Sequence, residues 1–483
     1  MGGFIVLKTY QNYIDGQFVA SSGTVGVEVL NPANQKVIAV VPDATADDVD
    51  AAVAAATRAQ AGWEKLSSTQ RAGYLRQISA RIRANVDRLA RTISLEQGKI
   101  LPLAVHEVNL TANYIDYMAE WALRIEGEIV ASDKANETIL LFRKPIGVTA
   151  GILPWNFPFF LIARKLAPAL VTGNTIVIKS SEETPINAFE FAGLLDETDI
   201  PRGVVNIVSG RGGTTGSALS AHRGIGLVSF TGSVATGASI MASAARNLTR
   251  VNLELGGKAP AIVLADADID LAVKAIHESR IANTGQLCNC PERIYVQRAV
   301  LDEFTQKIAT RMKATTYGDP FGNEEIMMGP LVNRQGLQKV AGLVERAAAA
   351  GAETVTGGKI AHKDAGLHYE PTVLVNCRND MEIMRKEIFG PVLPIQAIDD
   401  LEEGIALAND SEYGLTSSLY TTNLNATMKA TRELRFGETF VNRNNFEAIQ
   451  GFHAGRRKSG IGGADGKHGL YEYMETHIVY IEG

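Results

Sequence analysis

The sequence has 483 residues, more than the roughly 250–300 that one hydrophobic core usually serves, so two or more domains are expected. Its composition, 46% hydrophobic and 21% charged, is that of an ordinary folded chain. The 47 basic and 53 acidic residues leave a net charge of −6 with no block of either sign, which argues against a nucleic-acid or anionic-membrane partner.

At the start, the apolar run Phe4-Ile5-Val6-Leu7 is too short for the core of a secretory signal, and Val6 breaks the myristoylation pattern after Met1-Gly2. No unbroken run of about 18 apolar residues offers a membrane span. Strands are predicted from Tyr13 to Val19 and from Val37 to Val41. Thr45 opens a helix with Asp47 and Asp48 in its first turn, where the helix dipole favours carboxylates. Proline-free stretches with apolar residues every three or four positions predict helices near 46–61, 68–95 and 104–124. Glu128 to Ala131 and Thr138 to Phe142 read as a hairpin, marginal alone. With the last strand, Thr476 to Ile481, it is expected to form an assembly element whose edges a second subunit covers.

From 146 the rhythm becomes strand–helix–strand, with short apolar runs at Gly147 to Leu153, Thr175 to Lys179, Val204 to Val208, Gly226 to Phe230 and Val251 to Leu255. Such alternation predicts a parallel, doubly wound sheet with ligands at the carboxyl ends of its strands. A second unit begins after 258. Ala261 to Leu264 is a strand, Asp268 caps a helix with Ile269, Ala272, Val273 and Ile276 on its apolar face, and Gly285 is a fitting stop. Alternation continues to about 442. The fold class is therefore α/β: two doubly wound parallel-sheet (Rossmann-like) domains plus a small β element for oligomerisation.

Cys288 lies just past a helix among polar residues, a setting that favours a reactive thiolate, although a free cysteine is more often a small buried hydrophobe. The three cysteines, Cys288, Cys290 and Cys377, are odd in number and imply no disulfide framework, so a reducing, cytoplasmic setting is expected. One residue between Cys288 and Cys290 is the wrong spacing for structural zinc, and no metal is expected. Glu254 ends an apolar strand. Buried there it would have a raised pKa and serve as a general base; otherwise it is an ion-paired acid, with Lys258 as the near partner. Asn156, between Pro154 and Pro158, either donates to a developing oxyanion or satisfies a turn. The glycines around Gly212 miss the dinucleotide fingerprint by one place. The run from Phe230 to Gly237 lacks the lysine of a P-loop, but a helix opening at Gly232-Ser233 suits a pyrophosphate. Lys179 and Glu182 follow a strand end and suit ribose hydroxyls, or form a solvated turn.

Taken together these segments are far more specific. Pro154-Trp155-Asn156-Phe157-Pro158, Ile178-Lys179-Ser180-Ser181-Glu182, Phe230-Thr231-Gly232-Ser233, Leu253-Glu254-Leu255-Gly256-Gly257-Lys258, Gly285-Gln286-Leu287-Cys288 and Glu387-Ile388-Phe389-Gly390-Pro391 resemble the NAD(P)-dependent aldehyde dehydrogenases. The resemblance runs from about residue 12 to the end, with the family's 34 positions between Glu254 and Cys288. Tyr117 to Ala122, Cys288-Asn289-Cys290 and Gly451-Phe452-His453-Ala454-Gly455 are similar to members that act on lactaldehyde and glycolaldehyde.

The resemblance implies roles. Cys288 attacks the aldehyde, Asn156 stabilises the oxyanion, Glu254 activates the hydrolytic water, and Lys165 assists proton movement. Leu153, Pro154, Trp155, Lys179, Ser181, Glu182, Gly212, Phe230, Thr231, Gly232, Ser233, Leu255, Glu387 and Phe389 meet the cofactor, NAD in preference to NADP. Residues 1–124 and 146–256 become the NAD-binding domain, 257–458 the catalytic domain, and 125–145 with 459–483 the oligomerisation domain of a homodimer or homotetramer. Two positions depart from the family: Ser180 replaces the proline after the ribose lysine, and Ala464 replaces a glutamate, with the acid displaced to Asp465. Arg164, Asn289 and His453 stand where many relatives are apolar or aromatic, which implies a pocket for a small aldehyde with a polar group beside the carbonyl; Glu447 either contributes to it or simply pairs with Arg164. A semialdehyde, its far carboxylate on Arg164, is the alternative substrate. Intact Cys288, Glu254 and Asn156 argue against a non-catalytic structural relative.

Overall fold

The computed structural model describes residues 7–24, 26–361 and 366–483. Phe4, Ile5 and Val6, on which the targeting readings rest, lie outside them. Among the described residues no helix is long and apolar enough to cross a membrane.

Two large sheets carry the molecule. The first has eight strands, in the order Gly460–Ile461, Arg250–Glu254, Leu227–Thr231, Val148–Ile152, Thr175–Lys179, Val205–Val208, Asn12–Ile14, Gln17–Val19. Its five inner strands are parallel and its edges antiparallel. Val148–Ile152, Thr175–Lys179 and Val205–Val208 are buried at every position, as strands with helices on both faces must be. The second sheet has seven strands, ordered Glu353–Thr356, Thr372–Val375, Val392–Ile398, Arg293–Gln297, Pro260–Val263, Thr416–Tyr420, Glu438–Val441, all parallel but the first. The fold is thus the expected pair of doubly wound sheets.

The predicted hairpin, Glu128–Ala131 with Glu137–Pro145, pairs along nine residues with the terminal strand Met474–Glu482. Ile129, Phe142, Ile478, Tyr480 and Ile481 stand exposed on this small sheet. Of the stretch 459–483, Gly460–Ile461 instead pairs with Leu253 and Glu254 and joins the first large sheet.

Four local expectations change. Tyr13 to Val19 is a hairpin and not one strand, because Asp15 (φ 55°) and Gly16 (φ 71°) take left-handed backbone and turn the chain. A strand at Gly26–Leu30 was not foreseen. The stretch 68–95 is two helices, Ser68–Ala84 and Val86–Gln97, parted at Asn85 (φ −124°, ψ 19°). The helix capped by Asp268 stops at Ile281, short of Gly285. Asn283 (φ 48°), Thr284 (φ 61°) and Gly285 (φ 73°) then form a left-handed turn, so Cys288 stands beyond that turn and not at a helix end. Left-handed Asn and Thr store strain of about 1–3 kcal/mol each, which the surrounding packing must hold.

Candidate active site

The strand Arg250–Glu254 leaves the first sheet at Glu254, and two glycines follow because side chains do not fit. A Cβ on Gly257 would stand 2.4 Å from the carbonyl oxygen of Cys288, and one on Gly256 would stand 2.9 Å from the Glu387 carboxylate. The chain after Glu254 therefore runs against the backbone of Cys288. Cys288 is partly exposed, whereas Cys290 and Cys377 are buried, their thiols pushed up to about 11 and about 12 by that burial. Cys290 also accepts a hydrogen bond from Arg280 Nη1 at 3.0 Å. Among the three, Cys288 has the accessible sulfur.

The helix Phe160–Thr172, buried along its whole length, brings Arg164 and Lys165 to Glu254. Lys165 Nζ is 3.4 Å from Glu254 Oε1 and Arg164 Nη1 is 3.8 Å from Oε2. Thr231 Oγ1 donates to Oε2 at 2.9 Å. Burial raises the Glu254 carboxyl, but Lys165 and Arg164 together outweigh it and bring it down to about 2. The expected upward shift is thereby reversed. Lys258 is no partner of Glu254: its ammonium lies 2.8 Å from Glu292. Neither Lys165 Nζ nor Glu254 Oε1 makes an aligned hydrogen bond among the described residues.

Arg164 is held on one side by two carboxylates. Its Nε and Nη2 donate to the two oxygens of Asp465 at 3.0 and 2.5 Å, and Nη2 also to Glu447 Oε1 at 3.1 Å. The acid that moved from 464 to 465 thus remains in the cluster but grips Arg164. Asn289 Nδ2 donates to the Asn445 carbonyl at 2.8 Å and to Glu447 Oε2 at 2.5 Å. His453 Nδ1 sits 2.7 Å from Glu438 Oε1, and the ring faces Cys288. Burial alone would lower the imidazole, but Cys288 and the carboxylates of Glu438 and Glu447 hold it well above its usual range. Asn156 Nδ2 donates to the Gln286 carbonyl at 3.0 Å, which seats its amide on the backbone leading to Cys288. Cys288, Glu254, Asn156, Lys165, Arg164, Asn289, Glu447 and His453 therefore form one contiguous cluster.

The residues expected to hold a dinucleotide fall along the strand ends beside it. Lys179 Nζ bonds Glu182 Oε2 at 3.0 Å, and the Gly212 N–H donates to Glu182 Oε1 at 3.2 Å. Burial raises the Glu182 carboxyl, but Lys179 and the Gly212 amide more than offset it, so it stays ionised. Ser233 caps the helix Val234–Ala244, taking the Thr236 N–H at 3.2 Å. That helix opens toward solvent with its first amides free of the sheet, a setting an anion fits. Trp155 and Phe389 meet edge to face at 5.4 Å, with Phe389 in left-handed backbone (φ 58°). Leu153 N–H bonds the Lys179 carbonyl at 3.0 Å and so ties the Leu153-Pro154-Trp155 loop to the end of the strand Thr175–Lys179. Glu387 Oε1 accepts the Gly257 N–H at 2.8 Å. Three more of the expected residues are held in place by their neighbours. Phe230 lies in the core beneath Gly232, Leu255 packs on Gly237, and the Ser181 hydroxyl accepts the Glu183 amide at 3.3 Å.

Reasoning from sequence missed Glu438, Glu292, Lys99 and Glu107. Glu292 gathers Lys258, Arg280 and the Ile388 and Phe389 N–H groups, the last two at 2.7 and 2.9 Å. A carboxylate four places after Cys288 was a signal; Glu438 and Glu107 had none, since only the fold brings them near.

A family model described as the aldehyde dehydrogenase family matches residues 18–479. The chain is 57% identical over 470 residues to lactaldehyde dehydrogenase of Escherichia coli, covering 97% of this chain and 98% of the relative. The crystal structure of Escherichia coli lactaldehyde dehydrogenase superposes with a TM-score of 0.98 at 56% identity, over 99% of this chain and 100% of that one. Betaine aldehyde dehydrogenase from Staphylococcus aureus, solved in complex with NAD+, superposes with a TM-score of 0.95 at 34% identity, over 98% of this chain and 95% of that one.

Proposed function

Because the chain belongs to the aldehyde dehydrogenase family of oxidoreductases, we propose that it oxidises a small hydroxyaldehyde, of lactaldehyde or glycolaldehyde type, to the acid with NAD. The observation that carries this reading is the place of Cys288, the one cysteine of the three that is not buried: its backbone carbonyl lies against Gly257, three residues after Glu254, within a polar cluster. The 57% identity to a lactaldehyde dehydrogenase supports the substrate class.

Cys288 Sγ attacks the carbonyl carbon; the C–S bond forms and the carbonyl π pair moves to oxygen. Asn156 Nδ2 and the Cys288 N–H donate to that oxyanion. When bound, NAD supplies the hydride acceptor that turns the adduct into a thioester. Glu254 then takes a proton from the water that attacks the thioester, the C–S bond breaks, and Cys288 leaves as thiolate. A carboxylate at about 2 takes protons poorly at neutral pH. The reading therefore requires Glu254 to lose part of its pairing with Lys165 and Arg164 during hydrolysis.

Lys179 and Glu182 would hold the adenosine ribose, Gly232 and Ser233 the pyrophosphate, and Glu387 the nicotinamide ribose. The ionised Glu182 disfavours a 2′-phosphate, which supports NAD over NADP. His453, held through Nδ1 by Glu438 with its ring toward Cys288, is the polar group best placed to meet a hydroxyl beside the carbonyl, and Glu447 and Asn289 support that side of the pocket. Arg164 already faces three carboxylates, those of Asp465, Glu447 and Glu254, so its charge is balanced before a substrate carboxylate arrives, which weighs against a semialdehyde. The exposed apolar face around Ile129 and Ile478 supports a homodimer or homotetramer.

A panel of small aldehydes with NAD and NADP, followed by NADH absorbance, tests the reading. We expect kcat/KM with lactaldehyde or glycolaldehyde and NAD at least about tenfold above that with succinate semialdehyde, the cost of one unpaired carboxylate. Preference for the semialdehyde would overturn the substrate class.

A further inference from the structure

Behind Asn156, away from Cys288, lies an ion pair with no access to solvent. Lys99 follows the helix Val86–Gln97, and Glu107 sits in the helix Leu101–Glu120. Their side chains pair directly and are wholly buried. Lys99 Nζ also donates to the Asn156 carbonyl at 2.8 Å and lies 3.6 Å over the Phe157 ring. The ammonium thus spends its three protons on Glu107, on Asn156 and on the face of the next residue. Asn283 Nδ2, from the left-handed turn before Cys288, donates to the same Asn156 carbonyl at 3.0 Å.

The other oxygen of Glu107 accepts the Phe159 and Phe160 N–H groups at 2.9 and 3.1 Å. The helix Phe160–Thr172 has no side-chain cap of its own, so Glu107 caps it from another helix. One turn on, that helix carries Arg164 and Lys165. A buried ion pair is a poor way to gain stability, because desolvation offsets most of the attraction. What this one touches is the main chain from the Asn156 carbonyl to the Phe160 N–H.

We propose that Lys99 and Glu107 are positioning residues: they clamp the main chain from Asn156 to Phe160, so that the Asn156 amide is aimed at the oxygen before Cys288 attacks. The inference rests on the reading of Asn156 as oxyanion donor.

A double-mutant cycle tests it, in the full-length enzyme with lactaldehyde and NAD, alongside NAD affinity by fluorescence titration. Asn156→Ala is expected to lower kcat by about 10²–10³, the usual loss of one oxyanion donor. Lys99→Met and Glu107→Gln should each lower kcat by about tenfold, a near-attack geometry disturbed but not abolished. NAD affinity should stay within about twofold. The doubles with Asn156→Ala should be no slower than Asn156→Ala itself, since residues that act through one group do not add. Should Lys99→Met not fold, Glu107→Gln carries the cycle. It keeps an acceptor oxygen for the Phe159 and Phe160 amides and drops the charge that pairs with Lys99. Losses that multiply in the doubles, or single variants at full speed, would overturn the role given to Lys99 and Glu107 alone. A fully active Asn156→Ala would overturn the oxyanion reading as well.

Discussion

Glu254 shows how far neighbours can move one side chain. Burial in an apolar strand end argues for a raised pKa; two cations on one helix reverse the sign. Its ordinary value is 4.5 and its folded value about 2, so its ionised form stabilises the fold above about pH 4.5, and that contribution fades as pH falls toward 2. His453 is the opposite case. Its folded pKa is held well above the ordinary 6.5, so the imidazolium stabilises the fold at low pH and that contribution fades as pH rises through the folded value. The groups that face it are Cys288, Glu438 and Glu447, with Asp465 and Glu254 within electrostatic reach. Glu438→Gln removes the carboxylate 2.7 Å from Nδ1 and should let the ring lose its proton earlier. The alkaline limb of kcat/KM is then expected to move to lower pH, while Asn409→Ala, remote from the cluster, leaves it in place. An unmoved limb in Glu438→Gln would remove His453 from the chemistry.

At the scale of elements, the site depends on close passages of backbone more than on helices or strands as such. Gly257 exists because the Cys288 carbonyl lies where its Cβ would be. Gly257→Ala must push one segment off the other, at a stability cost of about 1–3 kcal/mol for overpacking. A lower melting temperature, with turnover reduced at least about tenfold, is the expected result; an unperturbed enzyme would mean that the two segments are not held together as described. These passages also mark what was legible. Repeated strand–turn–helix units and Thr45 and Asp268 as helix caps could be read directly, since both are local patterns. The hairpin at Asp15-Gly16 was legible too, an Asp-Gly turn between the short apolar pairs Tyr13-Ile14 and Phe18-Val19, although the stretch was read as one strand. The early end at Ile281 was not legible: the left-handed turn at Asn283 and Thr284 packs against the Gly390 and Gly329 carbonyls, which come from distant parts of the chain.

The whole molecule brings together residues that no local pattern connects. Arg164 and Asp465 bond across 301 positions, and Asn156 and Gln286 across 130. Cys288, Glu254 and Asn156 could be chosen from the sequence because their segments resemble those of one family. Lys99, Glu107 and Glu438 could not, because their meaning lies in partners supplied by the fold. The terminal strand is likewise a long-range element, and it closes the small sheet on Glu137–Pro145. A chain ending at residue 473 should expose that edge and give a smaller assembly by light scattering than the full chain; an unchanged mass would place the subunit contact elsewhere. The central claim is that an acyl group passes through the sulfur of Cys288 and leaves by way of Glu254. Its most direct test is the mass of Glu254→Gln after brief mixing with lactaldehyde and NAD. One lactyl group is expected, mapped to the peptide bearing Cys288 and absent from Cys288→Ala. No adduct in an enzyme that still makes NADH, or an adduct on Cys290 or Cys377, would contradict it.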